Sequence, residues 1–183
     1  MKGTIFVELL QLIEEEHGAD TLDDLLCAHE AELTHGGAYT AVGNYPHGEL
    51  LTLIGAYSAH IDAVQAESLL SRFAHRILQA LTTLHPEFTL AEPDLFQFLL
   101  GIQTHIHAEV LKLYADAQPP TIVAEQLDAA RLQLDYRSHR PLAQFFVCMT
   151  EQSIEIFQAD AQVEVVELSA DGHSARVVVH KAA

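Results

Sequence analysis

From Lys2 to about His85, apolar residues return at spacings of three and four, in FVELLQLIEEE, TLDDLLCAHEAEL, HGELLTLIGAYSAHI and AESLLSRFAHRILQALTTL. That is the period of a helix with one buried face, so this part of the chain is expected to be all helical. Gly18, Gly36-Gly37, Gly43 and Pro46 punctuate it. EPDLFQFL announces a further helix, because Pro93 suits a first turn and Asp94 complements the helix dipole. It should run to about Tyr114 and end at ADAQPP.

Beyond Pro120 the period changes. TIVAEQL and RLQLDYRS, joined by DAA, read as an antiparallel hairpin, and QVEVVEL and ARVVVHK around SADGHS read as a second. A helix from about Pro141 to Gln158 separates them. The expected class is α+β: a helical N-terminal lobe over about 1–85 and a C-terminal ββαββ lobe with an antiparallel sheet over about 86–183, together forming one domain. No repeat, long linker or low-complexity segment interrupts it. GNYPHGE holds two glycines, but no strand precedes them, so a loop leading into a helix fits better than a nucleotide fingerprint.

Within RLQLDYRSHR, strand alternation puts Leu132, Leu134, Tyr136, Ser138 and Arg140 on one side and Arg131, Gln133, Asp135, Arg137 and His139 on the other. The first side begins apolar and then carries a phenol, a hydroxyl and a guanidinium without losing its period. Three stacked donors at the edge of a core suit a buried carboxylate. They equally suit a strand end returning to water.

The 183 residues, 49% of them hydrophobic, can bury a sizeable core. A net charge of -17 with nine Lys and Arg argues against nucleic acid and anionic membrane surfaces. No apolar run approaches the roughly 20 residues that span a bilayer, and MKGTIFVELLQLIEEEHG reaches glutamates too soon for a signal peptide, so a cytoplasmic protein is expected. Cys27 and Cys148 read as two buried thiols in helices. Glu14-Glu15-Glu16 reads as a solvated face. Paired carboxylates, a nucleophile elbow and a phosphate loop do not stand out, so the chain is not expected to be an enzyme.

In QTHIHAEVLKLY, His105 and His107 fall on nearly opposite sides of a helix. His105 neighbours Ala108, Glu109 and Lys112 on the wet side, whereas His107 shares a stripe with Leu100, Val110, Leu111 and, loosely, Tyr114. A neutral imidazole in apolar surroundings is either a hydrogen-bonded core residue or a metal ligand. HExxH is absent and the remaining histidines are scattered, which leaves a tetrahedral zinc site poorly supported. A metal that needs a single protein ligand is heme iron. Arg140, with Tyr136 and Ser138, would then supply charge-assisted donors to the heme propionates.

These residues resemble the H-NOX (heme nitric oxide/oxygen binding) domains, related to the heme domain of soluble guanylate cyclase. The resemblance rests on MKGTIF, GAYTAVGNYP, HIHAEVLKLY, the PP turn and above all Tyr136-x-Ser138-x-Arg140. It implies heme b enclosed between a helical distal lobe and a mixed proximal lobe, His107 as the iron ligand, Tyr136, Ser138 and Arg140 as the propionate clamp, and Pro120 pressing on the porphyrin. Phe145 stands where oxygen-binding members carry tyrosine, Ile77 and Leu9 stand where they carry polar or indole donors, and Leu78 matches a bulky side chain that bends the porphyrin. Such a pocket favours NO and CO over O2.

The resemblance further implies a sensor: NO releases His107 from iron, and the resulting movement is read by a separate partner such as a histidine kinase or a cyclic-di-GMP enzyme. Ala74, Ala115 and Gln152 depart from residues frequent in the family, glycine, proline and glycine respectively. Two other readings stand beside it. One is a heme-free interaction module with an apolar cavity; the other is a metal-dependent hydrolase using acids such as Asp23, Asp24 or Glu109.

Overall fold

Phe6, Leu9 and Ile13 are fully buried on helix α1 (Gly3–His17) of the computed structural model, which describes residues 1–84, 86, 94–114 and 117–182. The three- and four-residue spacing that places them on one face is the reason this segment is a helix with a core side. Helices α2 (Ala19–Ala28), α3 (His47–His60) and α4 (Ala63–Leu84) follow, with short 3-10 turns at Glu30–Glu32 and Thr34–Gly37. The chain divides into two compact units, Met1–Ile77 and Leu78–Ala183.

In the first unit, Leu50, Leu53 and Tyr57 of α3 and Leu69, Phe73 and Ala74 of α4 complete the core, each at most 2% exposed. Two arginines one turn apart on α4 fasten it to α1. Arg76 Nε lies 2.8 Å from Glu8 and its Nη1 2.5 Å from Glu15, while Arg72 Nε lies 2.8 Å from Glu16. Glu16 also accepts the Tyr57 hydroxyl at 2.5 Å, so part of the expected solvated glutamate face is engaged by these two arginines. The one buried carboxylate on α3, Glu49, is satisfied by the hydroxyls of Thr34 and Tyr39, as a buried acid must be. Gly3 admits the GAYTAVGNYP loop against the start of α1: a Cβ there would stand 1.9 Å from the Thr40 carbonyl oxygen.

The second unit carries α5 (Leu95–Gly101), a π turn (Ile102–Ile106), α6 (His107–Leu113), strands β1 (Thr121–Gln126) and β2 (Arg131–Arg137), α7 (Ala143–Ile156), and strands β3 (Ala161–Leu168) and β4 (Ser174–Lys181). The four strands form one antiparallel sheet in the order β1-β2-β4-β3. The β3–β4 register slips between Val165 and Glu167. Leu132, Leu134, Val177 and Val179 are wholly buried on one side of the sheet, where Phe146 and Val147 of α7 and Phe96 and Leu99 of α5 join them. Each such aliphatic side chain contributes about 1.5–3 kcal/mol by leaving water. Asp94 caps α5 by accepting the Phe96 N–H at 2.8 Å, and Lys181 holds the same carboxylate.

The α+β class, the two hairpins and the helix between them agree with the sequence reading. Cys27 does not: Cys148 is buried, but Cys27 is exposed. At about 100° per residue it shares its side of α2 with Asp23 and Asp24, whereas Leu25 turns inward. Pro93 and Ala115 lie outside the described residues. Among those described, no helix is long and apolar enough to cross a membrane.

Candidate functional site

His107 opens α6 directly after the π turn, and its backbone N–H bonds to the carbonyl of Ile102, five residues back. A π turn inserts an extra residue into the helix, so positions before and after it are out of phase. The stripe drawn from Leu100 to His107 therefore does not run straight across the turn; beyond it, Leu111 and Tyr114 are exposed, at 42% and 36%. His105 is exposed, as its wet-side neighbours suggest, and His107 is half-buried. Burial holds the His107 imidazole below the ordinary histidine value, which keeps the ring neutral at pH 7. Its Nδ1 lies 3.4 Å from Gln103 Oε1, and the same oxygen accepts the Ile122 N–H at 2.9 Å.

The alternation of RLQLDYRSHR is present in space, with Leu132, Leu134 and Tyr136 buried and Arg131 and Arg137 exposed. The strand itself stops at Arg137, however, so Ser138 and Arg140 occupy a turn rather than strand positions. That turn is closed locally: the Arg140 N–H donates to Ser138 Oγ at 3.1 Å, and the Leu142 N–H donates to the Arg140 carbonyl at 2.8 Å. Tyr136 stacks on Phe146 of α7, ring centroids 4.7 Å apart. Burial pushes its phenol up, against the opposing pull of the Ser138 hydroxyl and the Arg140 charge.

Arg140 Nη1 donates to the Gln118 carbonyl at 2.6 Å, but Nε is buried and has no hydrogen-bond partner among the described residues. Burial pulls the guanidinium below its ordinary value. Among the described residues, the basic side chains of Arg72, Arg76, Lys112, Arg131, Arg176 and Lys181 pair with carboxylates. Arg140 has no such pair among the described residues, in a chain with 26 acids. An orphaned buried guanidinium N–H beside two hydroxyls fits a carboxylate ligand, because leaving a charged donor unpaired costs several kcal/mol, roughly. A heme propionate is such a carboxylate.

The turn is held from behind by residues that the sequence reading missed. The Ser138 N–H donates to the His173 carbonyl at 2.9 Å, and His173 Nδ1 lies 3.0 Å from the Ser138 carbonyl. The Ala143 N–H donates to the Gly172 carbonyl at 2.9 Å. Gly172 has φ +73°, and a Cβ there would stand 3.0 Å from Pro141 Cβ, so glycine lets the β3–β4 turn seat on the clamp turn. The only signal in the sequence was DGHS, which announces a turn but not what it touches. Gln103 and Phe146 carried no signal at all.

The remaining positions are scattered along the chain. Pro120 is half-buried two residues after Gln118, and Phe145 is half-buried on α7 beside the buried Phe146. Leu78 is buried at the start of the second unit; Ile77 and Leu9 are buried in the first. Ala74 and Gln152 are both buried. Among the described residues, no three His, Cys, Asp or Glu side chains stand together as a metal cage.

A family model described as Haem-NO-binding matches residues 2–165. Among solved structures, the Fe(II) unliganded H-NOX protein from K. algicida shares 30% identity at TM-score 0.88, covering 100% of this chain and 97% of that one. The IWP-051-bound H-NOX from Shewanella woodyi, in its Fe(II)CO state, shares 33% identity at TM-score 0.82, covering 100% and 95%. An S. oneidensis H-NOX protein in the Fe(II)NO state, at 22% identity and TM-score 0.85 over the whole of both chains, is similar in fold. No curated protein matches the chain in sequence.

Proposed function

Because the chain belongs to the haem-NO-binding (H-NOX) family, we propose that it is a heme-based sensor of NO and CO that binds little O2 and signals to a separate protein. The observation that carries this reading is the buried, unpartnered Nε of Arg140, set in the Tyr136-Ser138-Arg140 cluster, where a propionate would complete it. The bound heme supplies the iron to which a diatomic gas coordinates.

The chain's own residues do the rest. His107 presents a neutral ring, the form that ligates, because its surroundings disfavour the charged one. Arg140 would offer its guanidinium, and Tyr136 and Ser138 their hydroxyls, to the propionates, while Pro120 would press on the porphyrin. To the gas-binding side we assign Leu9, Ile77, Leu78 and Phe145, none of which can donate a hydrogen bond. O2 bound to iron needs such a donor far more than NO or CO does, so the assignment favours the latter two. Detachment of His107 would relax α6, and the altered surface would be read by a partner such as a histidine kinase or a cyclic-di-GMP enzyme. We place this work in the cytoplasm, where an exposed free thiol such as Cys27 persists.

The test is the absorption spectrum of the reduced protein under argon, in air and with NO. The reading requires a histidyl ferrous heme that is unchanged by air and shifted by NO. Protein that takes up no heme after reconstitution would overturn it in favour of the interaction module.

A further inference from the structure

Gln103 holds two groups with one atom. Its side-chain oxygen accepts the Ile122 N–H at 2.9 Å and lies 3.4 Å from His107 Nδ1. A backbone N–H can only donate, so the Gln103 atom facing Ile122 is the oxygen and not the amide nitrogen, which removes the usual ambiguity of a glutamine side chain. An amide oxygen has two lone pairs, and β1 uses one. The second is open to His107, and the contact is attractive only if Nδ1 carries the proton. Nε2 then keeps its lone pair.

We propose that Gln103 is a positioning residue that fixes the His107 tautomer and sets the strength with which His107 holds iron. The proposal rests on the heme reading above and deepens it. The second group bonded to a ligating imidazole controls ring orientation and basicity, and a carboxylate there makes the ring a stronger ligand than a neutral acceptor does. An amide oxygen that already serves a backbone N–H is a weak neutral acceptor. It leaves the His107–iron bond weak enough to release, which is the property a ligand-release sensor needs. The π turn contributes by setting the register of His107 on Gln103 and β1 together.

Two variants separate this from a merely structural role, because they move the same quantity in opposite directions. Gln103→Glu keeps an oxygen for Ile122 and adds charge, so the iron–histidine stretching frequency of the ferrous protein should rise and a larger share of the NO complex should retain His107. Gln103→Leu removes the acceptor, so the frequency should fall. In the heme-free wild-type protein, nitrogen-15 spectra of the imidazoles should show His107 protonated at Nδ1, and Gln103→Leu should move it toward the other tautomer. A heme-loaded Gln103→Glu protein with unchanged stretching frequency and unchanged NO coordination would overturn the proposal, and this holds even if Gln103→Leu fails to fold. Failure of the wild-type protein to take up heme is a different result, which sinks the sensor reading. The tautomer of His107 would then still decide whether Gln103 holds it.

Discussion

Arg140 reaches back to the carbonyl of Gln118, 2.6 Å from its Nη1, and thereby pins the segment that leads through Pro120 into β1. One face of the guanidinium is thus committed to the backbone, while Nε is left for something else. Two consequences of one side chain follow, an ordered turn and an anion site. Arg140→Ala removes both, and the loss of a charge-assisted hydrogen bond of about 1.5–3 kcal/mol predicts roughly 10- to 100-fold faster loss of heme. Transfer to an excess of apomyoglobin measures it. Arg140→Lys should fall between, since an ammonium cannot span both partners as a fork does.

His107→Gly should abolish the histidyl ferrous spectrum and leave a cavity that free imidazole can enter. Restoration of the spectrum by millimolar imidazole is the expected result. A glycine variant with the wild-type spectrum would show that another residue ligates the iron.

Phe145→Tyr introduces a donor where we assign none. A net hydrogen bond is worth about 1–1.5 kcal/mol, so O2 affinity should rise roughly 5- to 10-fold, read from O2 titration of the ferrous protein. An unchanged titration would remove Phe145 from the gas-binding side.

Asp94 gives the fold a measurable dependence on acid. The Lys181 ammonium, 2.9 and 2.8 Å from its two oxygens, holds the carboxyl below the usual carboxylate range, with burial opposing and the Phe96 N–H assisting. The folded value lies below the unfolded one, so the stabilisation is complete above about pH 4 and is lost as pH falls through the lowered folded value. Asp94→Asn should cost about 0.5 kcal/mol at pH 7, the scale of a solvent-screened ion pair, since asparagine still caps α5. Its stability should also decline less steeply than wild type below pH 4, as urea unfolding across pH would reveal.

The strands and most helices were legible because their periods differ and each period is set by one buried side. Tyr136, Ser138 and Arg140 were legible as a group for the same reason, although the turn that carries the last two looks like continued strand in sequence. What escaped was geometry without a period. Nothing in GIQTHIH distinguishes a π turn from an α-helix, so the sequence does not show that Leu100 and His107 are out of phase, nor that Leu111 and Tyr114 beyond the turn are exposed. Gln103 and His173 act through bonds to Ile122 and Ser138, across 19 and 35 residues, and such pairs leave no local pattern.

The slip in the β3–β4 register has a bearing on how copies of this protein behave together. β3 is an outer strand of the sheet and shows water three apolar side chains, Val165, Val166 and Leu168. A flat strand of that kind invites another to zip onto its open edge. Here the bulge breaks the even row of amides, and Glu164 and Glu167 flank it, so an approaching second β3 meets uneven spacing and like charge. The safeguard lies in those charges: with Glu164 and Glu167 replaced by glutamine, the valines are left as an adhesive strip, and fibril growth should begin along β3.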